Sequence, residues 1–175
     1  MTKARRITRI ALSAIILTLG ALIIIPRSAP PLTLQLLCLF IISSVLSPRD
    51  SSIAALLYLV LGAVGVPVFS GFTSGFGVLF GVSGGFLISF PFISFFISYF
   101  VKKFAKAFIP RFTVFFVATL VSYAFGFLWI IITKAVDASA GNVLMNYVVC
   151  FLPFDLLKCA LAPFVVKKLE GIINK

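Results

Sequence analysis

The chain has 175 residues, 62% hydrophobic and 11% charged, with mean hydropathy +1.23 and a formal net charge of +11. A soluble domain carries about 25% charged residues, so the composition excludes one and describes an integral membrane protein. The length suits a single all-α membrane domain, residues 1–175, without a separate ATPase or catalytic module. No His is present, which removes Ser-His-Asp triads and His-ligated metals. The basic residues stand in short clusters between apolar runs, which is how membrane topology is written and argues against nucleic acid as a partner.

A helix needs about 20 apolar residues to cross the hydrocarbon. Six transmembrane segments are predicted, at about 7–25, 32–47, 52–65, 79–101, 112–134 and 144–169. The apolar run of the first exceeds the roughly 7–15 residues of a signal-peptide h-region, so it is read as a spanning helix. Its small residues Ala11, Ala14, Thr18 and Ala21 lie near one helix face. Pro26, Pro30 and Pro31 then stop the helix and stiffen the connection. Thr33 and Gln35 follow; they share a face if that stretch is extended and diverge if it is already helical. The second and third segments are short. In "SPRDSS" between them, Pro48 reads as a breaker, with Asp50 and Ser51 as N-cap residues.

Residues 65–85, "GVPVFSGFTSGFGVLFGVSGG", hold seven of the twelve glycines and no charge. Two readings stand side by side. The segment folds over a cavity with bare N–H groups, or Gly77, Gly81 and Gly85 form a small-residue stripe for helix packing. A helix starting near Ser83-Gly84-Gly85 satisfies both.

Further on, "KKFAKAFIPR" separates the fourth and fifth segments and "KAVDASAGN" the fifth and sixth. With six spans, twelve basic residues fall on one side: Lys3, Arg5, Arg6, Arg9, Arg49, Lys102, Lys103, Lys106, Arg111, Lys167, Lys168 and Lys175. Arg27 and Lys134 fall on the other, and this asymmetry predicts both termini in the cytoplasm. Cys38, Cys150 and Cys159 show no paired spacing and read as small apolar fillers.

The last segment contains "FLPFDLLKCALAPF", which puts Asp155 and Lys158 on one helix face. They fall about 16 and 21 Å along a helix that starts near residue 144, close to the bilayer middle. A charge there costs roughly 2.5–3.5 kcal/mol on insertion scales, so both must face the protein or a cavity. Pro153 starts or kinks the helix beside them. The pair is either a self-neutralising structural unit or a ligand site in which the ammonium takes a carboxylate. Gln35, whose amide both donates and accepts, either suits a urea or amide on a ligand or, with Thr33, is a helix-start cap beside an interfacial Gln. No nucleophile–base pair and no second carboxylate stands beside Asp155, so the chain is not read as an enzyme.

Four motifs in order, "PLTLQ" (31–35), "YLVLGAVGVPVF" (58–69), "GVSGGF" (81–86) and "PFDLLK" (153–158), resemble the BioY family. These are the biotin-binding membrane subunits, or S-components, of energy-coupling factor (ECF) transporters. Where that family has G-P-T-G-G-Y this chain has Gly81-Val82-Ser83-Gly84-Gly85-Phe86, and where it has P-G-D-x-x-K this chain has Pro153-Phe154-Asp155 and Lys158. The resemblance implies uptake of biotin across the cell membrane, with no cofactor and no metal. It implies that Lys158 pairs with the valerate carboxylate and that Asp155 accepts from the ureido N–H groups or orients Lys158. Thr33 and Gln35 reach the ligand from the first outer loop, and Tyr58 and Phe69 supply walls. The stretch from Gly71 to Gly85, with Gly81, Ser83, Gly84 and Gly85, closes over a cavity open to the outer face. It implies a transmembrane coupling subunit and two cytoplasmic ATPases as partners, since the chain has no phosphate loop. Ala11, Ala14 and Thr18 become candidate docking residues, for which ordinary helix packing is the other reading. An S-component for another vitamin and a structural membrane protein remain the alternatives.

Overall fold

The computed structural model describes residues 2–25, 32–104 and 107–173. Pro26, Arg27, Pro30, Pro31, Lys106 and Lys175 lie outside them. Helix α1 (Lys3–Leu22) ends before a two-residue strand β1 (Ile24–Ile25), which pairs antiparallel with β2 (Leu32–Thr33) in the register Ile24 with Thr33. Next come α2 (Gln35–Val45) and α3 (Pro48–Ala63). A 3-10 turn (Ser70–Phe72) and a short α4 (Phe76–Phe80) lead into α5 (Gly84–Phe104). Helix α6 (Phe108–Thr133), α7 (Ala140–Leu144), a π-helical turn (Met145–Val149) and α8 (Leu152–Ile173) complete the order.

Three helical stretches are long and apolar enough to cross a membrane: Gly84–Phe104, Phe108–Thr133 and Ala140–Ile172. Helix α2, with 11 residues, is about 16 Å long, short of the roughly 30 Å of hydrocarbon. It packs instead at the centre, touching α1, α3, α5 and α8, with Leu39 and Phe40 wholly buried. The Phe40 ring stacks on Phe115 of α6 at 4.7 Å. Large apolar side chains such as Phe92, Phe104, Ile132 and Phe164 face outward, as lipid-facing positions do.

Buried serines join the helices. Ser98 of α5 donates to the Leu46 carbonyl at 2.7 Å, and Ser51 of α3 donates to the Ser94 carbonyl at 3.2 Å. Such interhelical bonds satisfy polar groups where no water reaches. Charges collect at one end. Arg6 near the start of α1 meets Asp50 near the start of α3 at 2.6 Å, and Arg111 of α6 meets Glu170 of α8 at 2.7 Å.

Several expectations are corrected. Helix α3 begins at Pro48 rather than 52, and its N-cap is Ser47, whose hydroxyl accepts from the Asp50 N–H at 3.2 Å. Pro48 therefore opens the helix: at the first position its missing N–H costs nothing. Pro110 likewise sits in the first turn of α6, which begins at 108 rather than 112. The segment expected at 79–101 is broken between α4 and α5, so Gly77, Gly81 and Gly85 do not share one helix. The helix does start at Gly84; a Cβ on Gly84 would strike the Leu79 carbonyl of α4, and one on Gly85 would strike the Trp129 side chain of α6. The last segment is interrupted by the π-helical turn before α8. On α1, Ala14 and Ala21 are buried in the fold itself, 2% and 0% exposed, so they are not free for a partner. Ala11 is exposed and Thr18 half-buried.

Candidate functional site

A cleft opens at the end of the molecule opposite the Arg6–Asp50 and Arg111–Glu170 pairs. It holds about 780 Å³ of empty space, its mouth included. Every main helix except α1 and α3 contributes a wall. Thr33 ends β2 and Gln35 begins α2; the change from strand to helix between them brings both to the cleft. Phe69 and Ser70 come from the loop after α3, and Val78 and Ser83 from the glycine-rich segment. Helix α5 adds Phe86, Leu87 and Phe90; α6 adds Ser122 and Tyr123. Tyr147 and Phe151 come from the π-helical turn and its exit, and Asp155 and Lys158 from α8.

One wall is ionic. The Lys158 ammonium donates to Asp155 Oδ1 at 2.6 Å, and the Tyr123 hydroxyl donates to Asp155 Oδ2 at 2.6 Å. Both carboxylate oxygens are thus occupied by the protein, and Asp155 and Lys158 are 5% and 6% exposed. The ammonium has three N–H donors, and one is committed to Asp155. Among the described residues lining the cleft, Lys158 is the cation and Asp155 the anion.

A second wall is a neutral relay. Gln35 Nε2 donates to the Tyr58 hydroxyl at 2.8 Å, and that hydroxyl donates to the Val68 carbonyl at 3.2 Å. A phenol has one proton, so its bond to Val68 fixes it as acceptor toward Gln35. The amide orientation follows, leaving Gln35 Oε1 as an acceptor for a guest. Tyr58 itself is fully buried. Its ring meets Phe69 edge to face at 5.5 Å, and Phe69 lies flat against Gly62 of α3, where a Cβ would collide with the ring. Ser122 and Ser89 share a hydrogen bond at 3.1 Å, and Ser89 donates onward to the Phe86 carbonyl at 2.6 Å.

Of the residues singled out from sequence, Thr33, Gln35, Phe69, Ser83, Asp155 and Lys158 meet at the cleft. Tyr58 stands one layer behind. Gly71, Gly81, Gly84 and Gly85 do not line it: Gly71 supports the turn that presents Phe69 and Ser70, with φ +70°. Gly84 admits the close approach of the Leu79 carbonyl of α4, and Gly85 serves the contact with α6. Tyr123, Ser122, Phe86, Phe90, Tyr147 and Phe151 were missed. A signal for Tyr123 existed: a Tyr in an apolar span needs a hydrogen-bond partner, and Asp155 offers more acceptor capacity than one Lys uses. No group of three or more Cys, Asp or Glu suited to a metal occurs among the described residues.

The chain aligns with known proteins in three ways. A BioY2 biotin transporter of Lactococcus lactis is 44% identical over 73 residues, which are 42% of this chain and 40% of that protein. A probable biotin transporter BioY of Pyrococcus horikoshii is 37% identical over 71 residues, 41% of this chain and 44% of that protein. The chain thus spans less than half the length of the curated relatives it matches. The fold is that of the crystal structure of an S-component for biotin from an ECF-type ABC transporter. The TM-score is 0.83 at 24% identity, covering 98% of this chain and 95% of that one. The model of the BioY family matches residues 1–175, so the chain belongs to the BioY family.

Proposed function

We propose that this protein is the biotin-binding S-component of a vitamin uptake transporter in the cell membrane. The observation that carries the reading is the ammonium of Lys158, the cation among the described residues lining a cleft with apolar and aromatic walls and a neutral hydrogen-bonding patch around Gln35. Biotin has matching parts: a terminal anion, an apolar thioether ring and chain, and a urea. Lys158 takes the carboxylate. Gln35 Oε1 accepts from a ureido N–H, with Thr33 and Ser83 at the same rim. Phe69, Phe86 and Phe90 hold the apolar body. Both oxygens of Asp155 already accept from protein donors, which favours its role as orienter of Lys158 over direct contact with the urea.

Six segments cross the bilayer in this reading, with both termini cytoplasmic and the cleft open outward. The clustering of basic residues at the end away from the cleft supports that orientation. A transmembrane coupling subunit and two cytoplasmic ATPases supply the energy, and the outward side of α1 around Ala11 and Thr18 is the docking face.

Purified protein should retain biotin and ignore thiamine and riboflavin. Lys158→Ala should weaken biotin binding about tenfold or more, as loss of a charged hydrogen bond of roughly 1.5–3 kcal/mol requires. Retention of a different vitamin, or undiminished biotin binding by Lys158→Ala, overturns the assignment.

A further inference from the structure

The cleft is electrically balanced before any ligand arrives. Asp155 and Lys158 neutralise one another at 2.6 Å, and both are more than nine-tenths buried. The elements packed on α8 near them bring no further charge. Helix α6 presents Tyr123, α2 presents Cys38 beside Gln35, the π-helical turn presents Tyr147, and α8 itself adds Cys159. None of these side chains is a Lys, Arg, Asp or Glu. Lys134 and Asp137 follow α6 but do not line the cleft.

A carboxylate entering this site would share one ammonium with Asp155 and leave a net charge of −1 out of water. Uncompensated buried charge is strongly unfavourable, and a group so placed changes protonation instead. Two carboxylates close to one another hold a proton between them for the same reason. We infer that an anionic ligand binds this cleft together with one proton, held between its carboxylate and Asp155 while Lys158 and Tyr123 remain hydrogen-bonded to the pair. The balance is simple: ligand carboxylate plus one proton from the outer water gives a bound complex with the same net charge as the empty cleft. The inference rests on the proposed binding of biotin at Lys158, and it adds a second, obligatory ligand.

Calorimetry tests it on the intact protein in detergent. Biotin is titrated near neutral pH in phosphate and in Tris, whose ionisation enthalpies differ. The expected result is uptake of about one proton per biotin, and a Kd that rises about tenfold per pH unit above neutrality. Biotin methyl ester, which carries no charge, should bind with no proton uptake. In Asp155→Asn the ammonium faces the anion alone, so proton uptake should vanish. If that variant fails to fold, the comparison of biotin with its ester on the wild type still decides. Biotin binding with equal enthalpy in both buffers and a flat pH profile overturns the inference while leaving biotin as the ligand. Binding that tracks sodium rather than pH also overturns it. Failure to bind biotin at all counts against the proposed function instead.

Discussion

Three ion pairs among the described residues have nearly the same length and stand in different surroundings. At the basic end, Arg6–Asp50 measures 2.6 Å with side chains 49% and 11% exposed, and Arg111–Glu170 measures 2.7 Å with 8% and 35%. At the cleft, Lys158–Asp155 also measures 2.6 Å, with 8% and 7% exposed. Distance therefore does not distinguish them; access to water does. A pair that keeps one wet partner can lose the other and rehydrate. A pair with both partners more than nine-tenths buried cannot do so as readily, so the cleft pair has the greater consequence when broken.

The sharpest way to break this contrast is Lys158→Met, which keeps the apolar stem and removes the charge. It leaves Asp155 buried with Tyr123 alone, and losing one partner of a buried pair costs about 3–5 kcal/mol. Thermal unfolding in detergent should show the largest drop of the series. A double variant, Lys158→Met with Asp155→Leu, should regain most of the stability, because a well-packed apolar pair replaces a buried ionic one at little net cost. The double variant should still fail to bind biotin. No loss in the single variant would mean that water reaches the pair.

The neutral relay at the cleft comes next. Tyr58→Phe removes the acceptor of Gln35 Nε2 and the donor to Val68. A buried polar group left unpartnered costs about 1–3 kcal/mol. The amide of Gln35 is then free to turn, so biotin affinity should fall along with stability. A fall in stability alone would detach Gln35 orientation from binding. At the basic end, Arg111→Ala should cost less, about 1–2 kcal/mol, because Glu170 keeps a third of its side chain in water.

These graded environments were only partly legible in the sequence. Asp155 and Lys158 were visible as partners because i, i+3 spacing on one helix is a local property. Tyr123 was not, since its bond to Asp155 crosses 32 residues and depends on how α6 packs on α8. For Ala14 the sequence left packing and docking side by side for a related reason: small residues spaced along a helix mark close packing, inward or outward alike. The π-helical turn at Met145–Val149 falls in a stretch with no Pro or Gly to announce it. Pro48 was visible, but a proline that stops one helix is also the preferred first residue of the next.

Arg6→Ala sets the lower end of the comparison. Arg6 is half exposed, and surface pairs are worth about 0–1 kcal/mol, less at high salt. The pair has a clearer signature in pH than in stability at neutrality. Burial pulls the Asp50 carboxyl upward, but hydrogen bonds from Arg6 and Ser47 and the nearby charges of Arg6 and Lys102 outweigh it, so its pKa lies below the ordinary 3.8. A carboxylate with a depressed folded-state pKa adds stability above its unfolded pKa, and that stability is lost as pH falls through the folded value. Stability contributed by Asp50 should therefore fade only below the usual carboxylate range. In Arg6→Ala the carboxyl loses its main counter-ion and moves back up, so its contribution should shrink and fade at higher pH. Thermal unfolding of wild type and variant across the acid range, at low and high salt, reads this directly. Curves that run parallel through that range would mean that the Arg6 contact, though as short as the one in the cleft, exerts no hold on Asp50.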